Sequence, residues 1–144
     1  MSKSRAYKAL LVVEEYVNLK ALAHLLEFIS RNVEITFLHV VEFPLPTSIY
    51  PETVAPYIEK AKERFRELLD WAKSQEIKAE LKVVASRDLS EAVLTELENV
   101  EYDFIIIQRE IKKIKRKIRE LFRRTYLEKI VDKTRRVVIV LPFS

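Results

Sequence analysis

The chain has 144 residues, a formal net charge of +4, and neither glycine nor cysteine. That length suits one domain with a single substantial core. Average usage would place roughly ten glycines in it; without any, the standard phosphate cradles GxxxxGK[ST] and GxGxxG are excluded, because both need backbone amides with no Cβ in the way.

The absence of cysteine removes thiol nucleophiles, disulfides and thiolate-bound zinc. His24 and His39 are the only imidazoles, too few for a multi-histidine metal site. A hydrophobic share of 49% with a mean hydropathy of -0.08 is that of a globular protein. No run approaches the length of a membrane span, and the N-terminal apolar run is too short for a signal-peptide core, so a cytoplasmic location is expected. The weight of Glu, Lys, Arg and Ile over Gln and Asn is a thermophile-like composition.

Tyr7-Lys8-Ala9-Leu10-Leu11-Val12-Val13 is short and nearly continuous in apolar character, as expected for a strand buried on both faces. Leu19, Leu22, Leu25, Leu26 and Ile29 then follow helical spacing, with Asn18 placed as N-cap. Residues 33–41 return to strand character, and Pro44, Pro46 and Pro51 mark a stiff connection. The spacing of Val54, Ile58, Ala61, Phe65, Leu68, Leu69 and Ala72 predicts one long amphipathic helix. Residues 77–85 read as a third strand. Asp88-Leu89-Ser90-Glu91 fits a capping box, Asp88 on the N3 amide and Glu91 reaching back, at the start of a helix through Val93, Leu94 and Leu97. Asp103-Phe104-Ile105-Ile106-Ile107 is the most buried-strand-like run. A helical stretch and a last strand, Val137-Val138-Ile139-Val140-Leu141, complete the chain. Five strands alternating with helices predict a single α/β domain, residues 1–144, with a parallel sheet, right-handed crossovers and helices on both faces.

Four strings carry a resemblance: Leu38-His39-Val40-Val41-Glu42, Asp88-Leu89-Ser90-Glu91-Ala92-Val93, Tyr102-Asp103-Phe104-Ile105-Ile106-Ile107 and Glu128-Lys129-Ile130-Val131. In this order the chain resembles the universal stress protein family over essentially its whole length. The resemblance implies an open five-stranded sheet of order 3-2-1-4-5, the adenine nucleotide alpha hydrolase-like fold. It also implies a homodimer along the last strand, Val137 to Leu141, and a regulatory or interaction role in the stress response rather than an enzyme. A physical reason supports the dimer: an uncharged apolar edge strand must be paired or covered.

The family's nucleotide motif, G-x-x-G-x9-G-[ST], carries over onto Gln108, Ile111 and Arg124 before Thr125, so all three glycines are replaced. Glu14 stands where an aspartate usually ends the first strand, and Arg87 where a glycine precedes the matched Asp88. Such replacements put side chains where amides should face phosphate. The nucleotide site, at Glu14, Val41, Gln108, Arg109, Lys112, Arg124 and Thr125, is therefore expected to be degenerate, with no cofactor bound in the family's usual manner. The alternative is ATP, another adenine nucleotide or another anionic ligand.

Charge is concentrated in the same place. Lys112, Lys113, Lys115, Arg116, Lys117, Arg119, Arg123 and Arg124 face one acid, Glu120, a local charge of +7; the other residues hold 18 cations and 21 acids, a net of -3. Ile111, Ile114, Ile118, Leu121 and Phe122 give the segment the apolar stripe of an amphipathic helix. Its cations can simply solvate the outer face, bind a polyanion such as nucleic acid, or serve an anionic ligand at the switch point between the first and fourth strands through Arg109, Lys112 and Arg124. A membrane-surface helix is disfavoured by the absence of Trp.

Elsewhere, His39 reads as a hydrogen-bonded core histidine and His24 as exposed. Glu14, Glu15 and Asp103 flank strand ends as a conceivable acid-base pair or cation site, without a nucleophile to complete it. Phe65 and Trp71 read as packing residues.

Overall fold

The computed structural model describes residues 6–29, 32–43, 49–109 and 137–142. In chain order they form β1 (Tyr7–Val13), α1 (Leu19–Phe28), β2 (Val33–Glu42), α2 (Pro51–Arg64), α3 (Arg66–Ser74), β3 (Lys78–Ser86), α4 (Leu89–Asn99), β4 (Phe104–Arg109) and β5 (Val137–Pro142). All four strand pairings are parallel, in the order β3-β2-β1-β4-β5. The chain first builds outward from β1 to β3, then crosses back to place β4 on the other side of β1. β1 is therefore where the strand order reverses, and open sheets of this kind place their ligand crevice beyond the carboxyl ends of the strands at that point.

Alternation along each strand sorts the core into two layers. Ala9, Leu11 and Val13 of β1, with Ile35, Phe37 and Ile106 beside them, pack under Leu22 and Leu26 of α1 and under Ala61, Leu68 and Ala72 of α2 and α3. Leu10, Val12, Leu38, Ile105 and Ile107 face the other way, toward Val93 of α4 and Tyr102. Helices thus cover both faces, and β1 is apolar on both because it is central. Among the described residues no helix is long and apolar enough to cross a membrane.

The expected single long helix is interrupted. Phe65 (φ -99°, ψ 7°) lies between α2 and α3, and the amide of Leu68 bonds back three residues to the Phe65 carbonyl at 3.0 Å. Val54, Ala61, Phe65, Leu68 and Ala72 are all buried, so one apolar stripe continues across the break. Periodicity alone cannot reveal an interruption that leaves the stripe intact. The Phe65 ring packs on His39, 4.7 Å between centroids, and Trp71 packs at the edge of the same core.

The caps are local. Asn18 Oδ1 accepts from the Ala21 amide at 3.1 Å and starts α1. Asp88 starts α4, but on the second amide rather than the third: Oδ1 accepts from Ser90 N at 3.0 Å. The Asp88 amide itself donates to Ser86 Oγ at 3.3 Å. α3 ends in a Schellman turn, with Ile77 N donating to Ala72 O and Glu76 N to Lys73 O. The left-handed residue of that turn, normally glycine, is Glu76 at φ 58°. A chain without glycine here accepts strain that most helix ends avoid.

Candidate functional site

At the carboxyl ends of β1 and β4 the crevice is built around Gln108. This residue pairs beside Leu141 of β5 and is 2% exposed. Its parity with Phe104 and Ile106 turns it to the α1 side of the sheet, toward the loop that leaves β1. There the carboxamide Nε2 donates to the Tyr16 carbonyl, and Oε1 accepts from the Asn18 amide at 2.6 Å. Asn18 also donates from Nδ2 to the Pro142 carbonyl at 3.1 Å. One carboxamide pair therefore ties the ends of β1, β4 and β5 together and caps α1. From the far side, Arg64 Nη2 donates to the Glu15 carbonyl at 2.8 Å and holds the same loop to α2.

This arrangement decides what the switch point presents. Glycine loops bind phosphate by leaving amides free to point at it. Here the Asn18 amide is already engaged, and the space a backbone turn would leave open holds a buried side chain. Glu14 and Val41 border the crevice half-buried, one just past β1 and the other within β2. Of the other expected site positions, Arg109 ends β4 opposite Pro142. Lys112, Arg124 and Thr125, like Ile111 and the polyanion candidates Lys112, Lys113, Lys115, Arg116, Lys117 and Arg119, lie outside the described residues.

The sheet separates the acids grouped above. The Lys8 amide donates to Asp103 Oδ2 at 2.8 Å, which fixes Asp103 at the amino end of β4. Glu14 lies beyond the carboxyl end of β1, six residues on from Lys8 and so roughly 20 Å away at strand rise. The two cannot form an acid-base pair, because parallel strands place their beginnings and ends at opposite edges. His39 Nδ1 donates to the Val13 carbonyl at 2.8 Å, a structural bond between neighbouring strands. His24 is exposed. Among the described residues no cluster of three or more His, Asp or Glu is placed to hold a metal ion. Arg87, where the family has glycine, donates from Nη1 to the Phe43 carbonyl at 3.0 Å and closes the rim of β2 and β3.

A second polar group was not anticipated. On the α4 face, Thr36, Glu80, Lys82, Glu96 and Tyr102 form one network: Thr36 Oγ1 donates to Glu80 at 3.2 Å, while Tyr102 Oη and Lys82 Nζ converge on Glu96 Oε2 at 2.6 and 2.8 Å. Burial, and next the hydrogen bond to Glu96, push the Tyr102 phenol far above its usual range; the Thr36 hydroxyl acts in the opposite sense. The sequence signal was the alternation of Lys78, Glu80 and Lys82 with Ala79, Leu81 and Val83, which makes one face of β3 polar.

The order β3-β2-β1-β4-β5, all parallel, with Gln108 buried at its reversal point, defines an open, doubly wound α/β domain. No family profile and no curated protein matches the chain. Its backbone is similar to solved universal stress protein structures. One from Burkholderia pseudomallei has a TM-score of 0.65 at 14% identity, over 98% of this chain and 99% of that one. One from Arabidopsis thaliana with AMP bound scores 0.59 at 18% identity, over 96% and 92%. A universal stress protein in complex with cAMP scores 0.62 at 12% identity, over 98% and 100%. The chain has the universal stress protein fold.

Proposed function

We propose that this chain is a member of the universal stress protein family, a non-catalytic regulatory or interaction module of the cytoplasm that binds no ATP in the family's usual manner. The observation behind this is Gln108, buried at the switch point with both ends of its carboxamide bonded to the β1–α1 loop. A phosphate group entering there would have to displace it and leave the Asn18 amide to be re-partnered. Isothermal titration with ATP and magnesium is expected to give no binding heat. A micromolar dissociation constant would overturn this reading.

A second reading keeps an adenine nucleotide or another anionic ligand in the crevice. It is supported by the AMP and cAMP held by two proteins of the same fold. Side chains of Arg109, Lys112 and Arg124, with Thr125, would then act in place of glycine-loop amides, and titration with AMP and cAMP tests this directly. If the cations from Lys112 to Arg119 instead serve nucleic acid, binding would fall steeply with salt.

The chain is also proposed to be a homodimer through β5. This strand is one of the two edges of the sheet, opposite β3, and Val137 and Val140 are 63% and 42% exposed on it. Apolar, uncharged edges invite pairing. Light scattering at micromolar concentration is expected to give the mass of two chains; a monomer would remove the proposal.

A further inference from the structure

A cleft of about 240 Å³ opens at the amino ends of β1, β2 and β3, the opposite end of the sheet from the switch point. A parallel sheet normally buries both faces under apolar side chains. On the α4 face here, the in-register rungs are instead Lys8, Glu34 and Lys78, then Leu10, Thr36 and Glu80. Glu34 and Thr36 belong to β2, an interior strand, so the polarity is not the ordinary wetting of a sheet edge. α4 ends at Asn99, and Val100 and Tyr102 form the side of the cleft.

The inner wall has a definite chemical demand. Thr36 and Tyr102 are 7% and 1% exposed; the Tyr102 proton is committed to Glu96, and that of Thr36 is shared between Glu80 and the Tyr102 oxygen. What they still offer is oxygen lone pairs. Glu80 adds carboxylate oxygens, and the single ammonium of Lys82 is shared between Glu96 at 2.8 Å and Glu80 at 3.9 Å, so two acids face one cation here. This end of the cleft therefore calls for a donor with positive charge.

The outer rung is different. Lys78 pairs with Glu34 at 3.5 Å, and the Lys8 ammonium makes no ion pair among the described residues. A purely cationic guest would meet Lys8, and a purely anionic one would meet Glu80. An organic ammonium suits the hydroxyl and carboxylate oxygens of the inner wall as a charged donor. We propose that this cleft binds a small zwitterion of the α-amino acid class, its ammonium on the oxygens of Thr36, Tyr102 and Glu80 and its carboxylate on the ammonium of Lys8.

The test is a two-dimensional amide NMR titration of the full chain with L-alanine and L-serine up to tens of millimolar, against ethylamine and acetate as the two half-ligands. Saturable shifts are expected at Lys8, Thr36 and Glu80, with affinity in the high-micromolar to millimolar range that so few ligand atoms permit. Each half-ligand should bind about tenfold more weakly or worse, since it forfeits one charge-assisted contact. Lys8→Gln, at an exposed position that should not affect folding, is expected to weaken zwitterion binding about tenfold, and Thr36→Val similarly if it folds. Shifts of equal size from ethylamine or acetate would reduce the cleft to a simple ion effect and overturn the proposal. So would a Lys8→Gln variant that binds like the parent, or the absence of saturable shifts.

Discussion

Replacing Gln108 by leucine is expected to lower the unfolding free energy by about 1–3 kcal/mol, because the part-buried Asn18 amide loses its acceptor and the Tyr16 carbonyl loses the Gln108 donor. The substitution conserves volume, so the loss reports hydrogen bonding rather than a cavity. Urea unfolding of the two proteins measures it directly. A change below ~1 kcal/mol, the size of an ordinary substitution, would mean that water enters the crevice and takes over both bonds. The switch point would then be open enough to admit a ligand, and the case against ATP would weaken with it.

The second large effect is alkaline. Unfolded, Tyr102 ionises near its ordinary value of about 10. Folded, burial first, then the bond to Glu96 and the charges of Glu96 and Glu80 keep the phenol proton in place to much higher pH. Below about pH 10 the group is protonated in both states and its contribution is intact. Above that, the unfolded chain releases the proton and the folded one keeps it, so stability falls by up to roughly 1.4 kcal/mol per pH unit. Tyr102→Phe should remove this slope. Urea midpoints of the two proteins from pH 9 to pH 11 are expected to converge as pH rises; parallel curves would contradict the assignment.

That network also shows where sequence reading stops. Tyr102 belongs to one of the strings that carry the resemblance, and Lys78, Glu80 and Lys82 lie in the run read as the third strand. Their meeting with Thr36 and Glu96 depends on β2 lying between β1 and β3 and on α4 crossing above them, which no local spacing encodes. The separation of Glu14 from Asp103 has the same origin. Both flank strands in the sequence, but only the shared direction of β1 and β4 sends them to opposite edges. Phe65 is subtler, since a break that preserves the apolar stripe leaves periodicity unchanged.

The missing glycines behave differently at their two kinds of position. At the end of α3 the backbone still takes the left-handed turn, and Glu76 bears it. At Gln108 the backbone continues as strand instead, and the side chain occupies the place a phosphate loop would need.

By itself, the sequence determined the strands, the helical stripes, the caps at Asn18 and Asp88 and the α/β class, because alternation, helical period and cap chemistry are properties of neighbouring residues. It also determined that any phosphate loop had lost its glycines. Only the tertiary structure decided what replaced them. Gln108 reaches Tyr16 and Asn18 across about ninety positions, a contact created when β4 docks beside β1. The polar cleft at the other end of the sheet arises in the same way, from three strands brought into register. Both sites are products of strand order, and strand order is settled by how the whole core packs.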